Sequence, residues 1–286
     1  MTAATQSRRI RAPLRWWREV LIAVGFYLVY SAVRNTFGAG SSSKSIAFRH
    51  ARGVIKVEEA LGLWFEPDLQ QWYLRLPGNG FIRGWNIFYG TAHFAVTIGL
   101  LIAAFVWAPR SYRFLRTMLA GTTALALIGF ATYTLMPPRL LDADSEFGAC
   151  YGQVAGCNGY GMVDTIETWG GLWTFGEGGM ATVSNQYAAM PSLHFGWSTW
   201  CAIAFVLIIG RGRARWLAFL YPAITLFCIL VTANHYWLDA FFGGVVLLGG
   251  WAIAVAANHL DQWWHERRAA RRVDEPDEPD VLEPAG

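Results

Sequence analysis

Six stretches of the chain stay apolar for close to the roughly 20 residues that a membrane-crossing helix needs. They are residues 20–37, 84–107, 117–136, 192–209, 216–234 and 240–258. The first is the weakest, with a short apolar run from Val20 to Val33 behind an Arg-rich start, the outline of a signal-peptide core. Its one small-residue cleavage pattern is Gly38-Ala39-Gly40, and cleavage there would leave five spans, so it counts as a span. Between the first two stretches the pattern changes. Apolar or amphipathic residues recur at Ile46, His50, Val54, Val57, Leu61 and Trp64, a helical spacing that predicts a helix lying in the membrane interface within residues 38–83. Lys and Arg on its polar face suit anionic headgroups or a substrate phosphate, and simple anchoring of the first span to the second accounts for it as well. A short amphipathic piece follows Pro67 and ends at the turn Pro77-Gly78-Asn79-Gly80. Residues 137–191 form the longest segment without a span. The predicted fold is all-α and polytopic, six transmembrane helices plus the interfacial helix over residues 20–258. A basic N-terminus, 1–19, precedes it. An acidic, Pro-rich tail, 259–286, follows and is expected to be disordered.

Composition agrees with that pattern. Hydrophobic residues make up 54% of the 286 and charged residues only 15%, too apolar for an ordinary soluble domain and the reverse of a disordered chain. The net charge is +3, and the 23 basic residues are 21 Arg and two Lys, spread by membrane side and not as a stripe, which argues against nucleic-acid binding. Positive residues near span ends stay on the cytoplasmic face. Fifteen of the 23 fall before the first span, between the second and third, between the fourth and fifth, and after the sixth. That bias puts both termini in the cytoplasm, with the cell membrane as the expected location. Residues 38–83 and 137–191 then face outward. Cys150 and Cys157 lie in the second of these, on an oxidising side where a disulfide between them would close a small loop. Cys201 and Cys228 fall inside spans and read as apolar fillers.

Three polar groups interrupt the apolar pattern at span ends: Met136-Pro137-Pro138-Arg139, Met190-Pro191-Ser192-Leu193-His194 and Asn234-His235-Tyr236-Trp237-Leu238-Asp239. All three come out on the outer side under an orientation fixed without them. Ionisable groups near a membrane are expensive and default to function. His235 and Asp239 are four apart, so on helical backbone the carboxylate accepts the imidazole N–H and leaves the other ring nitrogen as nucleophile or base. His194 adds a second imidazole suited to general acid work near neutral pH. Arg139 offers a planar fork for phosphate, and Ser192 with the backbone N–H groups of the fourth span offers anion donors. This set describes phosphoryl transfer through a phosphohistidine better than acyl transfer, since no G-x-S-x-G elbow is present. Ser192 and His194, two apart, do not share a helix face. A divalent ion on His194, His235 and Asp239 is the metal alternative, weakened by the lack of H-E-x-x-H or a second carboxylate cluster.

Met190-Pro191-Ser192-Leu193-His194 and His235-x-x-x-Asp239 resemble the second and third signature motifs of the type 2 phosphatidic acid phosphatase superfamily. The nearer likeness is to its inositol phosphorylceramide synthase (inositolphosphotransferase) branch, through Pro137-Pro138-Arg139, the Leu193 of the second motif, and Glu58-Glu59-Ala60-Leu61-Gly62 with Glu66-Pro67-Asp68-Leu69-Gln70. The resemblance spans about residues 45–255. It implies a membrane lipid phosphatase or phosphotransferase needing no metal and no organic cofactor. Its substrate would be a lipid phosphate or phospholipid. His235 would be the nucleophile, Asp239 its orienter, His194 the acid for the leaving oxygen, and Arg139 a phosphate ligand. The chain departs from the pattern at Thr132, where the first motif has Lys, and at Cys228-Ile229, where the third has Ser-Arg. Lys44, Arg49, Arg52 or Arg83 are the candidates to replace those cations.

Each residue also has a plainer reading. His235 with Asp239 would cap the sixth span, Arg139 would snorkel at the interface, and Ser192 would serve as a helix-start residue. His93, inside the second span, reads as an interhelical hydrogen-bonder. From another class, a lipid or solute transporter would use His194, His235 and Asp239 as a proton relay, but relay residues sit near mid-membrane in broken helices.

Overall fold

The computed structural model describes residues 15–36, 44–142, 147, 159–172 and 187–273. Cys150 and Cys157 lie outside them. The described residues form helices and no named strand, with one isolated parallel bridge between Leu135 and Ala188. In chain order the helices are α1 (Trp16–Thr36), α2 (Lys44–Ala60), α3 (Glu66–Leu74), α4 (Ile82–Trp107), α5 (Pro109–Thr132), α6 (Thr165–Trp169), α7 (Leu193–Ile209), α8 (Leu220–Val231) and α9 (Trp237–Val273).

Four segments are long and apolar enough to cross a membrane: α4, α5, the run Arg213–Val231 that ends in α8, and α9 over Trp237–Arg268. They point to an integral membrane protein. Helix α7 is as apolar but has 17 residues, and α1 has 21. Side chains on α1 such as Leu21, Val24 and Leu28 are exposed. Among the described residues its ionic tether is Glu19, which accepts from Arg116 and from the Tyr112 hydroxyl of α5.

Breaks in the sequence set the helix ends. Pro109 occupies the first turn of α5, where a missing N–H costs nothing. Pro137 and Pro138 follow that helix and forbid its continuation. Ser192 caps α7 by accepting from the Phe195 N–H, and Gly210, at φ 74°, closes its far end in the left-handed region. The last helix contains no proline and continues well past residue 258 to Val273.

Helix α7 packs on α4, α8 and α9, while α9 makes its widest contact with α5. Glycine makes that contact close. A Cβ on Gly250 would stand 2.5 Å from the Met118 carbonyl oxygen and 2.7 Å from the Thr122 backbone nitrogen of α5. Backbone atoms cannot yield as a side-chain end does, so Gly250→Ala forces the two helices apart. Overpacking of this kind costs about 1–3 kcal/mol. A lowered melting temperature in detergent is the expected reading.

Helix α2 presents a different face from the one its apolar spacing predicts. The buried residues are Ala47, Ala51, Val54, Ile55 and Glu58, whereas Ile46, Val57 and Leu61 are exposed. The small alanines, with Val54 and Ile55, pack against Leu135, Met136, Leu141 and Tyr187, and Ile46, Val57 and Leu61 are left on the outside. Val54 belongs to both faces, and His50 is half-buried with Nδ1 2.7 Å from the Thr134 carbonyl oxygen and its ring stacked on Tyr133. Together α2, α3 and α6 cover one end of the bundle. Gln70 ties α3 to the segment before α6 and to the end of α8, donating to the Val163 and Val231 carbonyls while accepting from the Val163 N–H. Asn86 of α4 donates to the Thr165 and Gly170 carbonyls at the two ends of α6.

Candidate active site

Under that cover the three polar motifs meet. His235 and Asp239 sit at the start of α9, His194 in the first turn of α7, and Arg139 in a short 3-10 turn after α5. The turn that delivers His235 ends α8 with crossed bonds: the Asn234 and His235 amides both donate to the Ile229 carbonyl, and Ala233 donates to Leu230. This ending puts Ala233 at φ 52°, a region usually left to glycine and costing other residues about 1–2 kcal/mol. Ala233 is fully buried, and its carbonyl accepts the Arg139 amide at 2.7 Å, so the strained turn also fixes the Arg139 segment. Asp239 does the same for the His194 segment, its backbone carbonyl accepting the Ser192 amide at 2.9 Å. A Cβ on Gly243, one turn further along α9, would stand 2.4 Å from the Ser192 carbonyl oxygen, which is why glycine occupies that position.

His235 is held from both ring nitrogens. Nδ1 lies 3.2 Å from Asp239 Oδ2, and Nε2 lies 3.3 Å from His194 Nδ1. Asp239 is fully buried and His235 nearly so. The carboxylate is acceptor-only, so His235 donates from Nδ1 and its Nε2 carries the lone pair, toward which His194 donates. Asp239 Oδ2 also accepts the Tyr236 amide at 3.0 Å, while its Oδ1 and His194 Nε2 are buried without a hydrogen-bond partner among the described residues. The Tyr89 ring stacks on His194 at 4.2 Å, and the His93 ring meets it edge-on at 4.1 Å. His93 bonds the Tyr89 carbonyl of its own helix at 3.0 Å, not a neighbouring helix as its position suggested.

Arg139 is buried and pairs with Asp164 at 2.7 Å. The other Asp164 oxygen accepts from the Ile166 and Glu167 amides, making it the N-cap of α6. Its own amide is held by Asp142. Ser192 is fully buried and its Oγ is engaged with the Phe195 amide at 3.4 Å, the helix-start use.

Tyr89, Asp164 and two glutamates, Glu58 and Glu66, have places at the site that the chemical reading of the motifs did not assign. Asp164-Thr165-Ile166-Glu167 has the outline of a helix start with an acidic third position, the signal that would have marked Asp164. For Tyr89, inside an apolar run, the sequence carries no comparable mark. The four cations proposed as replacements, Lys44, Arg49, Arg52 and Arg83, belong to α2 or to the first turn of α4. Among the described residues no three His, Cys, Asp or Glu side chains are grouped as a metal ion would need.

Beside the histidines an apolar groove of about 780 Å³ runs down between α8 and α9. Phe195, Trp237 and Ala240 line its start, each within two residues of His194, His235 or Asp239, and Leu248 and Trp251 line it further along α9.

An all-helical membrane protein with a His–His–Asp cluster at one bundle end is the class that fold and site define. The family model of the PAP2 superfamily matches residues 52–254, and the chain belongs to that superfamily. Membership suggests a phosphatase-type enzyme acting on lipid phosphates. No curated protein and no solved structure matched the chain.

Proposed function

We propose that the protein is an integral membrane enzyme that moves a phosphoryl group from a lipid phosphate or phosphodiester through a phosphohistidine at His235. The observation that carries this reading is His235 held between Asp239 at 3.2 Å and His194 at 3.3 Å in a chain of the PAP2 superfamily. Nε2 of His235 attacks phosphorus, and the ester P–O bond breaks. His194 gives its proton to the departing oxygen while Asp239 stabilises the imidazolium. In the second half His194 takes a proton from water, the oxygen attacks phosphorus, and the P–N bond breaks to return His235. An alcohol in place of water gives transfer, the outcome that the inositolphosphotransferase-like motifs favour. The 3.3 Å contact between the two rings is a resting contact and has to open for phosphorus to reach Nε2. Arg139 would bind the equatorial oxygens, with Ser192 and the first amides of α7 beside it. No metal or organic cofactor takes part in these steps.

The topology that goes with this chemistry has six spans, α1 and α7 included. Both termini are cytoplasmic, and the site faces outward from the cell membrane. The groove between α8 and α9 then receives the substrate's hydrocarbon chain, because it starts at the catalytic turns and is lined by apolar side chains.

The test is phosphate release by the detergent-purified protein from lipid phosphates and diphosphates of long and short chain, with EDTA present and beside His194→Ala. Release that survives EDTA, favours long chains and falls about 10²-fold or more in the variant is expected for a lost general acid. Release that EDTA abolishes overturns the metal-free reading. Where water yields no product, the same lipids are offered with acceptor alcohols, and failure there as well removes phosphoryl transfer.

A further inference from the structure

The first turn of α9 is held by three carboxylates on three consecutive amides. Tyr236 N–H donates to Asp239 Oδ2 at 3.0 Å, Trp237 N–H to Glu66 Oε1 at 2.9 Å, and Leu238 N–H to Glu58 Oε1 at 3.0 Å. Only Asp239 belongs to that helix. Glu58 comes from the end of α2 and Glu66 from the start of α3, more than 170 residues away in the chain. Both glutamates are at most 1% exposed. A buried carboxylate at a helix start is favourable, but two of them side by side repel each other and Asp239 besides. The second oxygen of Glu58, Oε2, is buried and accepts from no donor among the described residues, and with Glu58 and Glu66 taking the adjacent Leu238 and Trp237 amides the two carboxyl groups are placed to bond each other. Two carboxyl groups form that bond only when one of them carries a proton.

We propose that Glu58 and Glu66 share one proton and act as positioning residues, a carboxyl–carboxylate pair that clamps the turn carrying His235 and Asp239. The inference deepens the phosphohistidine reading and rests on it for its kinetic test. The proton belongs to Glu58, whose carboxyl is pushed up to about 9 by burial, then by the charge of Glu66. Burial raises Glu66 too, while its bonds from the Trp237 and Phe65 amides and from Glu58 oppose that rise. Neutral Glu58 donates from Oε2 to Glu66 and accepts the Leu238 amide at Oε1. Ionised Glu66 takes the Trp237 amide. The titratable groups facing the pair are Asp239 and Tyr236, both from the start of α9. When Glu58 loses its proton, a second negative charge appears beside Asp239 and the bond to Glu66 becomes a repulsion.

Gln at position 58 reproduces the neutral form, with an amide N–H for Glu66 and a carbonyl for Leu238, and it cannot ionise. Phosphate release by the full chain is therefore measured against pH for the wild type, Glu58→Ala and Glu58→Gln. Glu58→Ala is expected to lower kcat about tenfold or more with a smaller change in KM, since a buried donor loses its partner next to the catalytic turn. Glu58→Gln recovers most of that loss. Wild-type activity falls as pH rises through about 9, and Glu58→Gln lacks that fall. Equal kcat in Glu58→Ala and wild type, or an unchanged alkaline fall in Glu58→Gln, overturns the proposal.

Two readouts without turnover separate this idea from the chemistry it rests on. Amide exchange over residues 236–238 accelerates in Glu58→Ala and not in Glu58→Gln. The melting temperature of the wild type falls between pH 4.5 and about 9, because the folded protein keeps a proton that the unfolded chain releases at 4.5. Glu58→Gln lacks that component. If both readouts behave so and no lipid phosphate is turned over, the pair stands and the phosphohistidine reading fails. If neither does, the pair is overturned whatever the activity.

Discussion

His235→Ala is expected to abolish turnover, with kcat down by at least about 10³-fold, and to remove any acid-labile phosphoprotein trapped from a radiolabelled lipid phosphate. The expectation follows from how few alternatives the site offers. The one other imidazole in hydrogen-bonding contact with His235 is His194, and its ring packs against Tyr89 and His93 with no carboxylate to orient it. Asp239→Asn is the sharper variant. Asn can still accept the Tyr236 amide through its carbonyl oxygen, so the turn keeps one of its bonds. Its NH₂ would then face His235 Nδ1 and favour the tautomer with the proton on Nε2, the wrong nitrogen for attack. Loss of a tautomer-fixing carboxylate costs up to about 10⁴-fold in other His-dependent sites. A phosphoprotein that persists in His235→Ala would place the nucleophile elsewhere. Full activity in Asp239→Asn would reduce the His–Asp pair to a helix cap.

The site was more legible than the scaffold around it. His235 and Asp239 share one turn, so their pairing is written in a four-residue spacing. Met136–Arg139, Met190–His194 and Asn234–Asp239 meet because each lies at the end or the start of a long helix, where the apolar pattern of the sequence breaks. What the sequence concealed depends on contacts with no local period. The Arg139–Asp164 pair joins a proline-rich turn to a helix cap across a Gly-rich stretch, and nothing in the spacing relates the two residues. Glu58 and Glu66 were visible as part of a resemblance, but their task is to cap a helix that begins more than 170 residues later. In α2 the large aliphatic residues suggested one face, and the alanines with Val54 and Ile55 make the real contact. The number of spans turns on two helices: α1, whose apolar side chains are exposed, and α7, which is short.

Arg139 is where structure and chemistry compete for one side chain, and a pair of variants separates them. Arg139→Ala leaves the Asp164 carboxylate buried with two backbone amides and no cation, an arrangement that costs about 3–5 kcal/mol. A large fall in melting temperature is therefore expected, and lost activity in that variant alone would say little about phosphate. Asp164→Asn added to Arg139→Ala removes the stranded charge and keeps a side-chain oxygen to cap α6. The double variant should regain most of the stability. If Arg139 grips the phosphate, activity stays at least about 10²-fold down in the stabilised double variant, because a charge-assisted bond to the developing phosphoryl charge is still missing. If activity returns with stability, Arg139 is a strut for α6 and the cation that meets the phosphate has to come from elsewhere. Arg83, near the start of α4, and the basic residues of α2 are then the next to replace.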